Sequence, residues 1–172
     1  MPALPDLTPL AARADNRPVR VLMVCMGNIC RSPTAHGVLQ KKVLDAHAQK
    51  ALEVDSAGTH GYHIGNPPDA RAQQHALRRG YDLSTQRARQ LMREDFERFN
   101  LILTMDAANE TLARRLAPAQ PRAQLMRLTD FCTHHQASEV PDPYYGGERG
   151  FEEVLDLVED ACQGLLIALR LT

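Results

Sequence analysis

Apolar and polar positions follow two patterns along the chain: short apolar runs, and longer stretches with an apolar residue at every third or fourth position. The short runs predict buried strands, at residues 19–25, 52–57, 101–105 and 123–128. The longer stretches predict amphipathic helices, at residues 33–50, 69–79, 107–117 and 151–171, with a helical turn at 94–99. Because strands and helices alternate, we predict a single-domain, doubly wound (Rossmann-like) α/β sheet of four parallel strands with helices on both faces.

The N-terminal residues, 1–17, follow neither pattern and contain three prolines. We predict that they form a flexible or loosely packed extension. The remaining residues, 18–172, contain no internal repeat, low-complexity tract or linker. They are therefore predicted to form one domain of ordinary size.

The composition is that of an ordinary globular protein and narrows the function classes. Hydrophobic residues make up 44% of the chain, charged residues make up 24%, and the formal net charge is −1. There is no basic excess of the kind that nucleic-acid binding needs, and no apolar run approaches the roughly 20 residues that span a membrane. The N-terminal stretch lacks the cationic start and the apolar core of a secretory signal. We expect a cytoplasmic protein with no nucleic-acid or membrane partner.

The cysteines do not form a disulfide framework or a zinc motif. The chain has four, at positions 25, 30, 132 and 162. The first two are not followed by a second pair, and Cys132 forms only a loose cluster with His134 and His135, which we interpret as solvated loop histidines. Cys162 lies on the apolar side of the last predicted helix, where it is expected to pack in the core. We predict no metal and no cofactor.

The main chemical signal is the loop between the first strand and the first helix. Ser32 supplies a hydroxyl suited to a helix N-cap, and Pro33 suits the first helical position, which together predict a loop over residues 26–31. Unpaired backbone N–H groups and the positive end of the helix dipole converge in such a loop. The loop is therefore predicted to bind an anion.

Individual residues of this loop suit a tetrahedral oxyanion. Gly27 and Asn28 tolerate the positive φ that a concave nest of N–H groups requires. Arg31 offers a planar fork for two oxygens of a phosphate. Cys25 lies at the base of this cradle, where N–H donors and a guanidinium favour the thiolate over the thiol. The loop thus predicts a nucleophilic cysteine that faces a phosphate.

Two segments resemble those of a known family. The run from Cys25 to Pro33, C-M-G-N-I-C-R-S-P, is similar to the C-x-G-N-x-C-R-S-P signature of the low-molecular-weight protein tyrosine phosphatases. The run from Val140 to Gly147, V-P-D-P-Y-Y-G-G, resembles the D-P-Y-Y loop near the C-terminus of that family. The resemblance extends over nearly the whole chain, from Val19 to the last helix. It implies hydrolysis of phosphotyrosine and other aryl phosphomonoesters through a phosphocysteine intermediate.

The resemblance also implies roles for individual residues. Cys25 would be the nucleophile, Arg31 the phosphate clamp, and Asp142 the general acid and then the general base. By itself, a carboxylate between two prolines is more typical of an exposed turn. The other residues of the phosphate-binding loop would be Met26, Gly27, Asn28, Ile29, Cys30 and Ser32. Tyr62 and Tyr144 would form the two walls of a substrate pocket that also includes Tyr145.

Residues behind the pocket would support the loop. The family's D-S-A motif is matched at residues 55–57, which makes Ser56 the expected partner of Asn28, and Ser32 could donate its hydroxyl to the Cys25 sulfur. Asp106 matches a Met-Asp pair of the family, but a helix N-cap explains it equally well. In one departure, Gln86 stands where mammalian members have a histidine. Any support from that histidine must come here from another group.

Several alternatives stay open. Cys30 could be a resolving thiol, a redox partner that traps oxidised Cys25 as a disulfide, or it could simply pack. Arsenate reduction uses a similar loop but relays the disulfide to further cysteines, expected within residues 73–90, where this chain has none. Phosphoarginine hydrolysis belongs to relatives with threonine in place of Ile29. A phosphotyrosine-binding module without turnover is a fourth alternative.

The expected partner is a phosphotyrosine-containing protein. By family analogy, it could be a bacterial tyrosine kinase of exopolysaccharide export or the substrate of such a kinase. The chain itself is expected to be a monomer or a weak dimer.

Overall fold

A four-stranded parallel sheet forms the centre of the computed structural model, which describes residues 3–13 and 15–172. Its strands are β1 (Val19–Cys25), β2 (Leu52–Gly58), β3 (Leu101–Thr104) and β4 (Gln124–Arg127). They lie in the order β2-β1-β3-β4, and every neighbouring pair is parallel. The predicted sheet is confirmed, and each strand lies within two residues of its expected bounds.

Helices connect and cover the strands. They are α1 (Thr8–Ala11), α2 (Arg31–Asp45), α3 (Ala70–Arg78), α4 (Asp95–Arg98), α5 (Ala107–Leu116) and α6 (Glu148–Ala168), with a 3-10 turn at Leu128–Phe131. The predicted end of α2 is wrong: the helix stops at Asp45 because His47 has a left-handed backbone, with φ of 54°. The predicted N-cap of α2 is also wrong. The N-cap is Cys30, and the hydroxyl of Ser32 turns inward to the Cys25 sulfur instead.

Each face of the sheet packs against helices, as alternating strand residues require. Val21 and Met23 of β1 belong to the larger core cluster, with residues of α2, α3 and α6. Leu22 and Val24 point to the other face, into the smaller cluster with residues of α4 and α5. Because α2 and α5 lie on opposite faces, the winding reverses between β1 and β3. Doubly wound sheets bind ligands in the crevice at this reversal.

The N-terminal segment differs from the predicted extension in the residues that the structure describes. Leu7 is only 2% exposed and belongs to the larger core cluster. Arg13 donates a hydrogen bond to the side-chain oxygen of Asn100, at 3.0 Å. Loose packing is therefore the wrong description of this stretch, in which the partly buried Leu10 also packs against the cluster that contains Leu7. Three residues of the predicted extension, Met1, Pro2 and Ala14, lie outside the described residues.

Within residues 3–13 and 15–172, no helix combines the length and the apolar character needed to cross a membrane.

Candidate active site

The loop after β1 is the part of the site with an unusual backbone. Asn28 has a left-handed conformation, with φ of 58°. The prediction of positive φ is confirmed at Asn28 and wrong at Gly27, which is not among the residues with positive φ. A Cβ atom at Gly27 would lie 3.0 Å from the His63 ring, a tight contact that requires the ring to shift slightly.

Register brings a second glycine against the loop. Gly58 at the end of β2 pairs with Cys25 at the end of β1. A Cβ atom on Gly58 would lie 2.8 Å from the carbonyl oxygen of Met26, closer than real Cβ atoms approach backbone. Two backbone hydrogen bonds connect the loops that follow β1 and β2. Thr59 N donates to the Cys25 oxygen at 2.9 Å, and His60 N donates to the Met26 oxygen at 3.0 Å. The two loops therefore pack as one unit.

The Cys25 thiol lies in a buried chain of polar side chains. Its Sγ atom is 3.1 Å from Ser32 Oγ, and the residue is 3% exposed. The Asn28 amide nitrogen donates both to Ser32 Oγ, at 2.8 Å, and to Ser56 Oγ, at 3.0 Å. The expected contact between Asn28 and Ser56 is thus present. The Ser32 proton has two acceptors in reach, the Cys25 sulfur at 3.1 Å and the Ala57 carbonyl oxygen at 3.4 Å, and the sulfur is the nearer.

The Arg31 guanidinium is held by three oxygens. Arg31 is 3% exposed, and its Nη1 atom donates to Asp106 Oδ2 at 2.6 Å and to the Val140 carbonyl at 3.1 Å. Its Nη2 atom lies 3.7 Å from Asp142 Oδ2. Burial opposes the charged form, but the Cys25 sulfur and Asp106 outweigh it and raise the pKa of Arg31 above its usual value. The guanidinium therefore stays charged beside Cys25.

Asp106 has both of the roles that the sequence left open. Its Oδ1 atom accepts a hydrogen bond from Asn109 N at 2.8 Å, as the N-cap of α5, while Oδ2 binds Arg31. The carboxylate thus connects the helix after β3 to the loop after β1. These two elements flank the crevice at which the sheet reverses its winding.

A single cavity contains the three residues predicted to do the chemistry. Its volume is about 310 Å³. Lining it are Cys25, Met26, Gly27, Ile29, Cys30, Arg31, Tyr62, His63, Asp142, Tyr144 and Tyr145. The cavity has a thiol and a guanidinium on one side, a carboxylate on another, and aromatic rings around the opening. This arrangement fits a phosphate attached to an aromatic ring.

The aromatic side chains differ in their exposure. Tyr144 is 37% exposed, whereas Tyr62 is 71% and Tyr145 is 92% exposed. Tyr62 stacks on His60 with the ring centroids 4.9 Å apart, and Tyr145 meets the Tyr144 ring edge-on at the same separation. All three tyrosines contribute to the cavity as predicted, and Tyr145 lies at its rim.

Three contacts around the site escaped the sequence analysis. His63 lines the cavity, and the backbone N–H of Arg89 donates to Asn28 Oδ1 at 3.0 Å. Arg71 donates to the Tyr144 carbonyl at 3.0 Å and lies over the Tyr144 ring. His63, Arg71 and Arg89 lie outside the two motifs, and the residues that Arg71 and Arg89 contact are distant from them in sequence. Only the histidine-rich composition near His63 offered a local signal.

The remaining cysteines are buried thiols. Burial, followed by the nearby Asp69 carboxylate, raises the pKa of Cys30, which packs against Ala72 and Phe151. Burial also raises the pKa of Cys132 and of Cys162 to about 12. Cys162 is in the core, as expected. The role of Cys30 as a resolving thiol stays a prediction.

The histidines near Cys132 contact a carboxylate instead of forming a metal site. His134 and His135 are exposed, and their Nδ1 atoms lie 3.3 Å and 3.0 Å from the oxygens of Asp160. In the described part of the chain, no group of three or more His, Cys, Asp or Glu side chains is placed to hold a metal ion.

Comparison with known proteins identifies a family and several similar proteins. Residues 20–172 match the family described as "Low molecular weight phosphotyrosine protein phosphatase". A low molecular weight protein-tyrosine-phosphatase of Streptomyces coelicolor is 44% identical over 88% of this chain and 93% of its own. The human low molecular weight phosphotyrosine protein phosphatase is 39% identical over 89% of this chain and 97% of its own. A crystal structure of a protein tyrosine phosphatase from Entamoeba histolytica superposes with a TM-score of 0.85, at 41% identity, over 88% of this chain and 97% of that one.

Proposed function

Since the chain belongs to the low molecular weight phosphotyrosine protein phosphatase family, we propose that it hydrolyses phosphotyrosine and other aryl phosphomonoesters through a phosphocysteine intermediate. One observation carries this proposal: Cys25, Arg31 and Asp142 line one cavity whose rim is aromatic. The first residue is a nucleophile, the second binds phosphate, and the third can move a proton. Phosphoryl transfer needs these three functions together.

In the first step, the Cys25 thiolate attacks phosphorus. A sulfur–phosphorus bond forms while the bond from phosphorus to the aryl oxygen breaks, and Asp142 in its acid form gives its proton to the departing phenolic oxygen. Arg31 and the backbone N–H groups of residues 26–32 bind the other phosphate oxygens. The Ser32 hydroxyl, 3.1 Å from the sulfur, stabilises the thiolate before attack.

In the second step, water releases phosphate. Asp142, now a carboxylate, takes a proton from a water molecule. The oxygen of that water attacks phosphorus, and the bond between phosphorus and sulfur breaks. The thiolate leaves with its electron pair and again accepts the Ser32 hydrogen bond. Both steps use one acid–base group, and the charge of the transition state is met by Arg31 and the loop dipoles.

The cavity lining favours an aryl phosphate over phosphoarginine. Ile29 is apolar, and Tyr62 and Tyr144 offer flat ring surfaces. A phenyl ring gains contact with such a lining, whereas the apolar Ile29 side chain offers a guanidinium no hydrogen bond.

The cysteine placement disfavours arsenate reduction. Cys25 and Cys30 are the cysteines that line the cavity, while Cys132 and Cys162 belong to the core. A disulfide relay needs a third thiol on a mobile segment at the cavity. Arsenate turnover in the presence of thioredoxin would be the result that favours this alternative.

The partner would be a phosphotyrosine-containing protein. We include a bacterial tyrosine kinase, or the substrate of one, on family analogy alone. A cytoplasmic location and a monomeric or weakly dimeric state are further parts of the proposal.

Hydrolysis of p-nitrophenyl phosphate and of a phosphotyrosine peptide tests the proposed function. Cys25→Ser should reduce both rates to background, whereas Cys132→Ala, a cysteine outside the cavity, should keep them. Asp142→Ala should lose about 100-fold in kcat on the peptide and still bind it, because it removes the proton-transfer group and leaves Arg31 and the loop N–H groups to hold the phosphate. Hydrolysis by Cys25→Ser at the normal rate would overturn the proposal. An unmodified chain that binds the peptide without turnover would identify a binding module instead.

A further inference from the structure

We infer that His36 is a positioning residue for the phosphate-binding loop and acts through Ser56 on Asn28. His36 lies in α2, and its side chain does not line the cavity that contains Cys25. Its role is to support the loop that the proposed function uses, so the inference rests on that function. It also identifies a group that can replace the histidine of the mammalian family members, whose position Gln86 occupies here.

A continuous chain of side chains connects His36 to the thiol. From Cys25, the contacts run to Ser32 at 3.1 Å, to Asn28 at 2.8 Å, to Ser56 at 3.0 Å and to His36 Nδ1 at 3.4 Å. Asn28 is the critical member because its left-handed backbone shapes the loop. Its side chain is held by Ser32, by Ser56 and by the backbone N–H of Arg89, so the orientation of Ser56 is one of three contacts that fix Asn28.

The hydrogen-bond directions leave the Ser56 proton in need of an acceptor. Both hydrogens of the Asn28 amide are used, one by Ser32 and one by Ser56. Ser56 Oγ therefore acts as an acceptor toward Asn28, and its own hydrogen must point elsewhere. Two acceptors are in reach: His36 Nδ1 at 3.4 Å and Gln86 Oε1 at 3.5 Å. The single Ser56 hydrogen can serve one of these acceptors at a time, and His36 Nδ1 is the nearer of the two.

The surroundings of His36 favour a neutral imidazole, which can accept a hydrogen bond from Ser56. Burial lowers the pKa of His36, opposed by the Asp55 charge and by the Gln86 side chain. A neutral imidazole can present an unprotonated Nδ1 to Ser56. A second cavity, lined by His36, Gln40, Asp55, Ser56, Thr85, Gln86 and Arg87, gives solvent access to this group. The charged groups that line this second cavity are Asp55 from β2 and Arg87 from the loop between α3 and α4.

Gln86 is held in place independently of Ser56. Its amide nitrogen donates to the Pro33 carbonyl in the first turn of α2, at 2.9 Å. The Gln86 oxygen is thereby fixed, and His36 lies one turn further along the same helix. His36 and Gln86, the two side chains near the Ser56 hydroxyl, are thus both positioned by α2, the helix that follows the phosphate-binding loop.

A set of substitutions at His36 separates positioning from packing. His36→Phe keeps a flat ring and removes the acceptor, so kcat/KM for p-nitrophenyl phosphate should fall about five- to tenfold, the effect of one lost hydrogen bond. Inhibition by inorganic phosphate should weaken by a similar factor. His36→Asn should restore both values, because its amide oxygen can replace Nδ1. Gln40→Ala, in the same cavity and the same helix, should change neither.

A double-mutant cycle with Ser56→Ala tests the route. If His36 acts through Ser56, His36→Phe should have no further effect on kcat/KM in the Ser56→Ala background. Independent, multiplying losses would overturn the inference, as would a His36→Phe protein with normal phosphate inhibition. His36→Leu provides the same test with a smaller side chain if the Phe variant does not fold. An inactive unmodified chain would refute the proposed function instead, and phosphate binding measured by calorimetry would still test His36.

Discussion

Arg31 shows at the scale of single residues how charge and position are set together. The guanidinium is almost fully buried, and its two anionic neighbours come from different elements, Asp106 after β3 and Asp142 in the loop before α6. A buried charge without partners is costly, so the ion pair with Asp106 orients the fork and keeps it charged. The clamp therefore depends on a carboxylate that itself has no contact with the Cys25 sulfur.

Asp106→Asn tests this dependence. Asparagine caps a helix as well as aspartate does, so the variant removes the charge beside Arg31 and keeps the cap of α5. We expect kcat/KM for p-nitrophenyl phosphate to fall about tenfold, with a loss of about 1.5–3 kcal/mol in the free energy of unfolding. Asp106→Ala should lose about 1 kcal/mol more in urea unfolding, because the cap is removed as well. Equal stability of the two variants would contradict the double role.

At the scale of elements, side chains hold loops to helices. Asp160 of α6 is the example outside the active site. Its oxygens accept hydrogen bonds from the backbone N–H groups of Thr133, His134 and His135, at 2.8–3.0 Å. Burial would raise the pKa of Asp160, but these three backbone donors outweigh it and hold the pKa well below its usual value. The carboxylate thus binds a histidine-rich turn to the last helix.

The direction of this pKa shift predicts how stability depends on pH. A carboxyl group whose pKa is lowered by folding stabilises the protein above its unfolded pKa, near pH 4, and the gain is lost as pH falls further. Asp160→Asn should therefore lower the free energy of unfolding by about 1–3 kcal/mol at neutral pH. The difference from the unmodified protein should shrink below about pH 4. Urea unfolding across this range would measure it, and a constant difference would contradict the assignment.

At the scale of the whole molecule, the N-terminal segment is part of the domain. Leu7 is buried in the same cluster as β1, β3 and α6, although it precedes the first strand by twelve residues. Leu7→Ala should reduce the free energy of unfolding by about 2–4 kcal/mol, as for other buried leucines. Leu116→Ala, at an exposed position in α5, should change it by less than about 0.5 kcal/mol. Both variants should keep kcat when folded, and equal stabilities would show that Leu7 packs loosely.

The accuracy of sequence-based prediction differed between elements for physical reasons. β1 and β3 were predictable because their apolar runs, at residues 21–25 and 101–103, are buried on both faces of the sheet. The start of α2 was not predictable, because Ser32 has a local preference for the N-cap but directs its hydroxyl to the Cys25 sulfur in the structure. Glycine at position 27 indicated a positive φ, whereas the structure shows no positive φ there and a close approach of the His63 ring.

What the sequence determined by itself was local chemistry and its order: the apolar periodicity, the loop from Cys25 to Pro33, and the aspartate between two prolines. These follow from the residue and its near neighbours. Only the tertiary structure decided which residues from distant parts of the chain come into contact. The pairing of Asp106 with Arg31, the contact of His36 with Ser56, and the burial of Leu7 each join residues that are distant in sequence. Such contacts produce no periodic pattern in the sequence, because they arise only when folding brings separate segments of the chain together.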